Sequence, residues 1–396
     1  MRILHTADWH LGRTLEGRSR LAEQEAFIEE LVEIVNDQQI DLVLLAGDVY
    51  DTVNPPAVAE QLFYEALARL SDQGRRPLYV IAGNHDHPDR LAAAAPLAGK
   101  LGVTLVGLPE ARVHRIPVKR TDESAVLFAL PYPSESRLKE LLVEVPDESV
   151  LRSAYSERVR YLVEQQASHF SSNTVNLLMS HLYVLGGKES ESERPIQVGG
   201  AYTVDASALA GSVQYAALGH LHRPQQQLWG DTVIRYSGSP LAYSFSEAGQ
   251  AKSVTILDLK PGMQAEPKEL FLTSGRPLVE WTARGGLEEV YRWLDEGKDA
   301  TAWIDLEVHL KETISLEQVH RLREAHDGLI HIRPVYPELQ ADAAQLGTRA
   351  STRVPMDELF RRFYTRQTGG AVPEDELVRL FMELLADEEL EEAVER

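Results

Sequence analysis

Asp8, His10, Asp48, Asn84, His181, His220 and His222 are metal-ligand residue types, and all stand at or just past the end of short apolar runs. The runs are Ile3–Ala7, Leu42–Ala46, Leu78–Ala82, Val175–Met179 and Val213–Leu218. Each is rich in Val, Ile, Leu or Ala and reads as a buried strand. Ligand residues at several strand ends converge on one rim, where open α/β sheets bind their ligands. Seven oxygen and nitrogen ligands on one rim suffice for two metal ions. Asp8 and His10 are two apart, as are His220 and His222, so the side chains of each pair can point the same way. Gly47, Gly83 and Gly219 precede ligands and let those loops turn sharply towards a metal. If Asp48 bridges two ions, seven residues supply about eight metal bonds, which leaves roughly four octahedral positions for water and substrate. Carboxylate, imidazole and amide oxygen together suit Mn, Fe or Zn better than Mg or Ca. Two divalent ions against two carboxylates keep a positive surplus that attracts phosphate. Taken singly, each residue has an ordinary reading: an Asp after a strand caps a helix, and a lone His satisfies a polar core. The joint pattern carries the metal reading. His5, His87, His114, His169, His309, His320, His326 and His331 keep the ordinary one.

The elements that must position these residues are legible as alternating patterns. Leu21, Phe27, Ile28, Leu31, Val32, Ile34 and Val35 mark an amphipathic helix after the first strand. A second helix is expected from about Pro56 to Leu70, and a third over Val150–Phe170. Gln225–Trp229, Val233–Tyr236, Ser253–Leu257 and Leu270–Leu272 read as short antiparallel strands with turns at Gly230-Asp231 and Pro261-Gly262. Two facing sheets with helices outside is the simplest arrangement. Residues 1–275 therefore read as one α/β domain. Residues 276–340 read as a small module of strand, helix, strand, helix, strand. Residues 341–354 are polar and read as a linker. In 355–396, apolar residues recur at helical spacing on either side of Gly369-Gly370.

The bulk numbers narrow the class. The chain has 396 residues, 43% apolar and 26% charged, the profile of a globular protein of two or three domains. No apolar stretch has membrane-spanning length. The first strand pattern opens at Arg2, so no leader peptide is expected. With no cysteine, disulfides and thiolate metal sites are excluded, and a reducing cytoplasm is compatible. The formal charge of −21 argues against binding nucleic acid with the whole surface. Any nucleic-acid substrate needs local basic patches or a partner. Arg13, Arg18 and Arg20 follow the first ligand pair, Arg223 follows the last, and Arg112, Arg115, Lys119 and Arg120 form another basic stretch.

Asp8-Trp9-His10, Gly47-Asp48-Val49-Tyr50-Asp51, Gly83-Asn84-His85-Asp86, His181 and Gly219-His220-Leu221-His222 resemble the signature of the calcineurin-like metallophosphoesterases. The fuller strings HTADWHLGR, LAGDVYD, AGNHD and GHLHRPQ resemble the SbcD-type branch of that superfamily, nuclease subunits that work with an SbcC-type ATPase in bacterial DNA repair. The resemblance covers nearly the whole chain. It implies an α/β fold with a four-layer metallophosphoesterase sandwich, two facing mixed sheets with outer helices. It also implies a small α/β capping domain over 276–340 and a C-terminal helical tail. Residues matching Asp8, His10, Asp48 and His222 hold one ion in that family; those matching Asp48, Asn84, His181 and His220 hold the other. Hydroxide between the ions attacks phosphorus, and the residue matching His85 assists the leaving group. Manganese is the ion the family implies, whereas the residues alone leave Mn, Fe and Zn open. Many archaeal and eukaryotic relatives carry a His where this chain has Asp51.

The expected activity is a metal-dependent DNA phosphodiesterase, an exonuclease on duplex ends and an endonuclease on single strands or hairpins. Arg13, Arg18, Arg20 and Arg223 are the candidate DNA contacts. A phosphatase or small-molecule phosphodiesterase is the alternative. Protein phosphatases of the superfamily place an Arg soon after Gly-Asp, where this chain has Asp51-Thr52-Val53-Asn54-Pro55. The tail carries twelve acidic and five basic side chains over 355–396, a net of −7, which disfavours DNA contact. Its apolar faces need a partner, because short isolated helices are marginal in water. By resemblance the partner is the coiled-coil base of the SbcC-type ATPase, gripped helix-in-groove by Phe360, Phe363, Tyr364, Leu377, Phe381 and Leu384. The resemblance further implies a homodimer, a heterotetramer with the ATPase, no membrane partner, and a cytoplasmic, nucleoid-associated location.

Overall fold

The computed structural model describes residues 1–142, 154–196, 202–336, 356–367, 373–382 and 384. The expected linker at 341–354 lies outside them. In chain order the main elements are β1 (Arg2–Thr6), α1 (Leu21–Asp37), β2 (Leu42–Ala46), α2 (Ala57–Leu70), β3 (Leu78–Ile81) and β4 (Val103–Val106). Then come β5 (Val113–Val118), β6 (Glu123–Leu130), α3 (Tyr155–Gln166), β7 (Val175–His181), β8 (Tyr215–Gly219), β9 (Gln225–Trp229), β10 (Thr232–Tyr236), β11 (Ser253–Asp258) and β12 (Lys268–Phe271). The chain continues with β13 (Leu278–Ala283), α4 (Leu287–Asp295), β14 (Trp303–His309), α5 (Leu316–Ala325), β15 (Leu329–Val335) and α6 (Met356–Gln367).

Two six-stranded sheets form the centre, in the orders β12-β11-β1-β2-β3-β4 and β9-β10-β8-β7-β6-β5. Strands β1 to β4 run parallel, and so do β6, β7, β8 and β10. Parallel strands covered on both faces read as unbroken apolar runs, which is why the ligand-bearing runs do not alternate. Ile3, Leu44 and Ile81 of the first sheet share a core with Leu127, Leu177 and Ala217 of the second. The first sheet's other face packs on Phe27, Leu31, Phe63 and Leu67 of α1 and α2. The second sheet's other face packs on Val159, Leu162 and Val163 of α3. Helix, sheet, sheet, helix is the four-layer order expected from the sequence.

Two readings need correction. Val233–Tyr236 was expected to be antiparallel to its neighbours; β10 is antiparallel to β9 but parallel to β8. The basic stretch with Arg112, Arg115, Lys119 and Arg120 contains an edge strand, β5, paired with β6. Arg120 there grips Asp41 through two bonds of 2.6 Å, and Arg112 pairs with Glu110. His5 is a core residue: its Nδ1 meets the Tyr215 hydroxyl at 2.8 Å, tying the two sheets together.

The described residues divide into two compact units, 1–308 with 315–333, and 309–314 with 334–396. The first unit contains most of a small three-stranded sheet, β13-β14-β15, with α4 and α5. It is fastened to α1 by Glu23, a buried carboxylate in the helix's first turn. Glu23 accepts from the Trp303 indole at 2.9 Å, from the Arg276 backbone amide at 2.8 Å and from the Arg20 guanidinium at 2.6 Å. Ser315 and Gln318 form a capping box that fixes the start of α5. In the second unit, Phe360 of α6 stacks on Phe381 at 4.1 Å between centroids.

Candidate metal centre

The carboxyl ends of β1, β2, β3, β7 and β8 lie on one rim, since these strands are parallel within their sheets and the two sheets meet there. His181 Nδ1 bonds the Ala46 carbonyl across the sheets at 2.9 Å. Four candidate ligands have left-handed backbone: Asp8 at φ 55°, His10 at 44°, Asp48 at 48° and His220 at 106°. Such angles are uncommon for non-glycine residues, and strain of this kind clusters at functional sites. The glycines are explained by neighbouring ligands. A Cβ on Gly83 would lie 2.0 Å from Asp48 Oδ1, and one on Gly47 would lie 2.4 Å from His181 Nδ1.

Asp8, His10, Asp48, His181, His220 and His222 are nearly inaccessible, and Asn84 is partly buried. Ligand atoms of Asp8, His10 and His222 lie within 4.8 Å of one another, as do those of Asp8, Asp48 and His181. Asp8 is common to both sets, and Asp48 Oδ2 lies 3.7 Å from His10 Nε2 and 3.4 Å from His181 Nε2. His10 Nε2 and His222 Nε2 face each other at 3.1 Å. Two nitrogens each about 2.1 Å from one ion, and about 95° apart, are separated by roughly that distance. His181 Nε2 and Asn84 Oδ1 face each other at 2.8 Å. With Nδ1 donating to the Ala46 carbonyl, a protonated His181 gives its Nε2–H to the amide oxygen, and loss of that proton frees both atoms to face a cation. His10 Nδ1 faces the Asp51 carboxylate at 3.5 Å, whereas His220 Nε2 is buried without a hydrogen-bond partner. A buried polar atom left so costs about 1–3 kcal/mol. The donor set, its spacing and the unpaired His220 nitrogen fit a pair of divalent ions.

The electrostatics agree. Burial pushes the His10 imidazole down to about 3 and lowers His220 well below its usual range, so both stay neutral lone-pair donors. Burial also opposes charge on His181, but Asp48 and Asp8 outweigh it and raise that imidazole to about 9. Burial works against the Asp48 carboxylate, yet His181, His85 and His10 hold it well below the usual range. Burial and the neighbouring Asp48 charge raise Asp8. Without a cation, the proton on His181 partly balances the acids.

Comparison with known proteins matches residues 1–224 to the calcineurin-like phosphoesterase family and residues 274–368 to the type 5 capsule protein repressor C-terminal domain. The chain is 55% identical over 393 residues to the SbcD subunit of the SbcCD nuclease of Bacillus subtilis (strain 168), covering 99% of this chain and 100% of that protein. The chain belongs to the SbcD family of metal-dependent nuclease subunits. Another SbcD relative, from Rhodobacter capsulatus, is 37% identical over 311 residues, covering 74% of this chain and 75% of that protein. A solved structure described as "GAP50 the anchor in the inner membrane complex of Plasmodium" is similar with a TM-score of 0.41 and 11% identity, covering 85% of this chain and 97% of that one. No helix among the described residues is long and apolar enough to cross a membrane.

His85 stands beside the ligand cluster. Its ring packs edge-on to His10 at 4.8 Å, and its Nδ1 donates to the Asp51 carbonyl at 2.7 Å. Arg13 lies close by, with Nη2 donating to the Ser192 carbonyl at 3.1 Å and its guanidinium 5.0 Å from the Tyr243 ring. Arg18 and Arg223 are exposed. Arg20 contradicts its expected role. It is 1% exposed, and its guanidinium is consumed by Glu23 and the Ala242 carbonyl, so it braces the fold and does not meet a DNA backbone.

Sequence reasoning assigned no role to Asp86, Ser192, Glu193, Tyr243 or Glu247. The Asp86 carboxylate accepts from the amides of Gly83, Val49 and Tyr50 at 2.9–3.1 Å and locks two ligand loops together. Its place three residues after Gly83 was a signal, because an acid there can turn back on its own loop. Tyr243 packs edge-on to both His10 and His222. Among the expected partner anchors, Phe363 and Leu384 are more than half exposed and Leu377 about a third. Phe360 and Phe381 are half-buried against each other, so they hold the tail's two helices together and are less available to a partner.

Proposed function

We propose that this chain cleaves DNA phosphodiester bonds with two divalent ions, manganese by preference, held on the strand-end rim. Asp8, His10, Asp48 and His222 hold one ion; Asp48, Asn84, His181 and His220 hold the other. The observation that carries this reading is the placement of Asp48 between two pairs of facing donors, His10 with His222 and His181 with Asn84. When bound, two such ions supply a nucleophile at neutral pH and offset charge on the phosphate oxygens. His85 handles the leaving group. Since Nδ1 donates to the Asp51 carbonyl, the transferable proton sits on Nε2 of the imidazolium. That proton can pass to the departing deoxyribose oxygen, which makes His85 the general acid. Arg13, Arg18 and Arg223 meet the DNA backbone, and cutting is largely independent of sequence.

The proposed substrates are duplex ends for exonucleolytic cutting, and single strands or hairpins for endonucleolytic cutting. Residues 1–275 form the nuclease domain and 276–340 the cap that restricts access to it. The tail over 355–396 docks on an SbcC-type ATPase, with Phe363, Leu377 and Leu384 as contacts and Leu359 and Leu380 beside them, all at least 36% exposed. The working assembly is a heterotetramer built on a homodimer, in the cytoplasm at the nucleoid.

The test is a digest of end-labelled duplex and single-stranded DNA with and without manganese, run beside a cyclic nucleotide and a phosphoserine peptide. Manganese-dependent DNA cleavage is expected, with the small esters largely spared. Intact DNA alongside rapid hydrolysis of a small ester would favour the phosphatase reading.

A further inference from the structure

His222 is fastened at its ring and at its backbone by residues from two other segments. Its Nδ1 meets Ser192 Oγ at 2.6 Å, and that hydroxyl donates to Glu247 Oε1 at 2.5 Å. The Ser192 proton is committed to the carboxylate, so Ser192 accepts from His222 Nδ1–H. The tautomer is thereby set, and Nε2 carries the lone pair that faces His10. Glu247 is held in turn by the Lys252 ammonium and by the Tyr243 amide at 3.1 Å. Lys252 also donates to the His222 carbonyl at 3.2 Å and to Ser239 Oγ at 3.0 Å. Glu193 Oε1 accepts from the His222 amide at 2.8 Å. All of these residues are buried, with Glu247 1% and Ser192 5% exposed.

The segment carrying Ser192 has no regular secondary structure, yet it is laid tightly on the rim. The Glu191 amide donates to Ser246 Oγ at 3.1 Å, and Arg13 donates to the Ser192 carbonyl. His181 is oriented more simply, by the backbone carbonyl of Ala46. Burying a carboxylate and an ammonium is costly unless geometry is good and the remaining donors and acceptors are met. Here a seryl hydroxyl meets the imidazole, Glu193 and Lys252 hold the amide and carbonyl of the same residue, and the Glu247–Lys252 ion pair stands behind the hydroxyl. Groups that hold the distal nitrogen of a ligating imidazole set its orientation and basicity, and their loss typically costs 10–100-fold in metal affinity.

We propose that Ser192 and Glu247 are positioning residues that aim His222 Nε2 at one of the two ions. This rests on the assignment of His222 as a ligand. Manganese binding by the full-length protein is measured by calorimetry and elemental analysis for Ser192→Ala, Ser192→Thr, Glu247→Gln and His222→Ala. Ser192→Ala is expected to weaken one site roughly 10–100-fold and leave the other unchanged. Ser192→Thr keeps the hydroxyl and should recover most of that loss. Glu247→Gln should weaken the same site as Ser192→Ala. Wild-type affinity at both sites in Ser192→Ala would overturn the proposal. So would equal weakening of both sites together with a lower melting temperature of the metal-free protein, the signature of a merely structural role. Wild-type affinity in Glu247→Gln would remove Glu247 from the relay. If His222→Ala itself binds two ions normally, the ligand assignment fails and the relay fails with it.

Discussion

On the strand-end rim, six acids and imidazoles are almost wholly buried, whereas on the tail helices Leu359, Phe363, Leu380 and Leu384 are about half exposed. Each region breaks the ordinary rule of burial, in opposite directions. Charge withdrawn from water calls for a counter-charge, and apolar surface left in water calls for an apolar partner. The rim also keeps four ligand residues at left-handed backbone angles, and Asp86 holds the loop that follows Asp48. The tail has a looser device, one stacked aromatic pair and an exposed Arg361–Asp375 ion pair. The contrast teaches that chemistry needs atoms fixed to fractions of an ångström, while docking needs only a face.

The largest expected effect separates the two regions completely. Asp48→Ala should release both ions, as counted by elemental analysis, and abolish hydrolysis while the tail still captures an SbcC-type ATPase. Retention of one tightly held ion with normal turnover would break the shared-carboxylate account. His85→Ala should keep both ions and lose roughly 10²–10⁴-fold in hydrolysis, because a proton donor is removed and no ligand is. Loss of metal in that variant would make His85 a ligand.

Next comes the tail. Phe363→Asp puts charge on an exposed contact and should weaken ATPase association by about tenfold or more, read by co-purification. Manganese-dependent cleavage by the isolated chain should stay at its wild-type rate. Phe360→Ala should act differently, lowering the melting temperature of the tail by removing a stacked pair worth about 0.5–1.5 kcal/mol beyond its buried area. Identical behaviour of the two variants would erase the distinction between outward contact and internal staple.

The smallest effect is a pH slope. In metal-free protein the His181 imidazole is raised to about 9 from its ordinary 6.5. Its contribution to stability is therefore complete below about pH 6.5 and is lost as pH rises through 9. The raised Asp8 carboxyl acts with the same sign. Urea unfolding of chelator-treated protein should show stability falling across that window, and saturating manganese should remove the fall. A flat profile without metal would contradict the charge pattern of the rim.

Much of this was legible because parallel strands write themselves as apolar runs with a hard stop. The helix expected from about Pro56 to Leu70 is Ala57–Leu70, and the strand, helix, strand, helix, strand order expected in the small α/β module is the order found from Leu278 to Val335. Strands β5 and β6 were missed, the first because His114, Arg115 and Pro117 break the apolar pattern of an edge strand and leave only a basic stretch to read. Arg20 was misread because nearness in sequence to a ligand pair says nothing of burial, and Glu23 lies only three residues on. Ser192 and Glu247 had no sequence signal at all. They lie 30 and 25 residues from His222 with no motif spacing, and only the fold brings them to its ring.

The most direct measurement is anomalous diffraction from a manganese-soaked crystal of the full-length chain. Two peaks are predicted roughly 3.5–4 Å apart, each within coordination distance of the Asp48 carboxylate. One would lie against His10 and His222, the other against Asn84, His181 and His220. A single peak, or two peaks that do not share Asp48, would contradict the account.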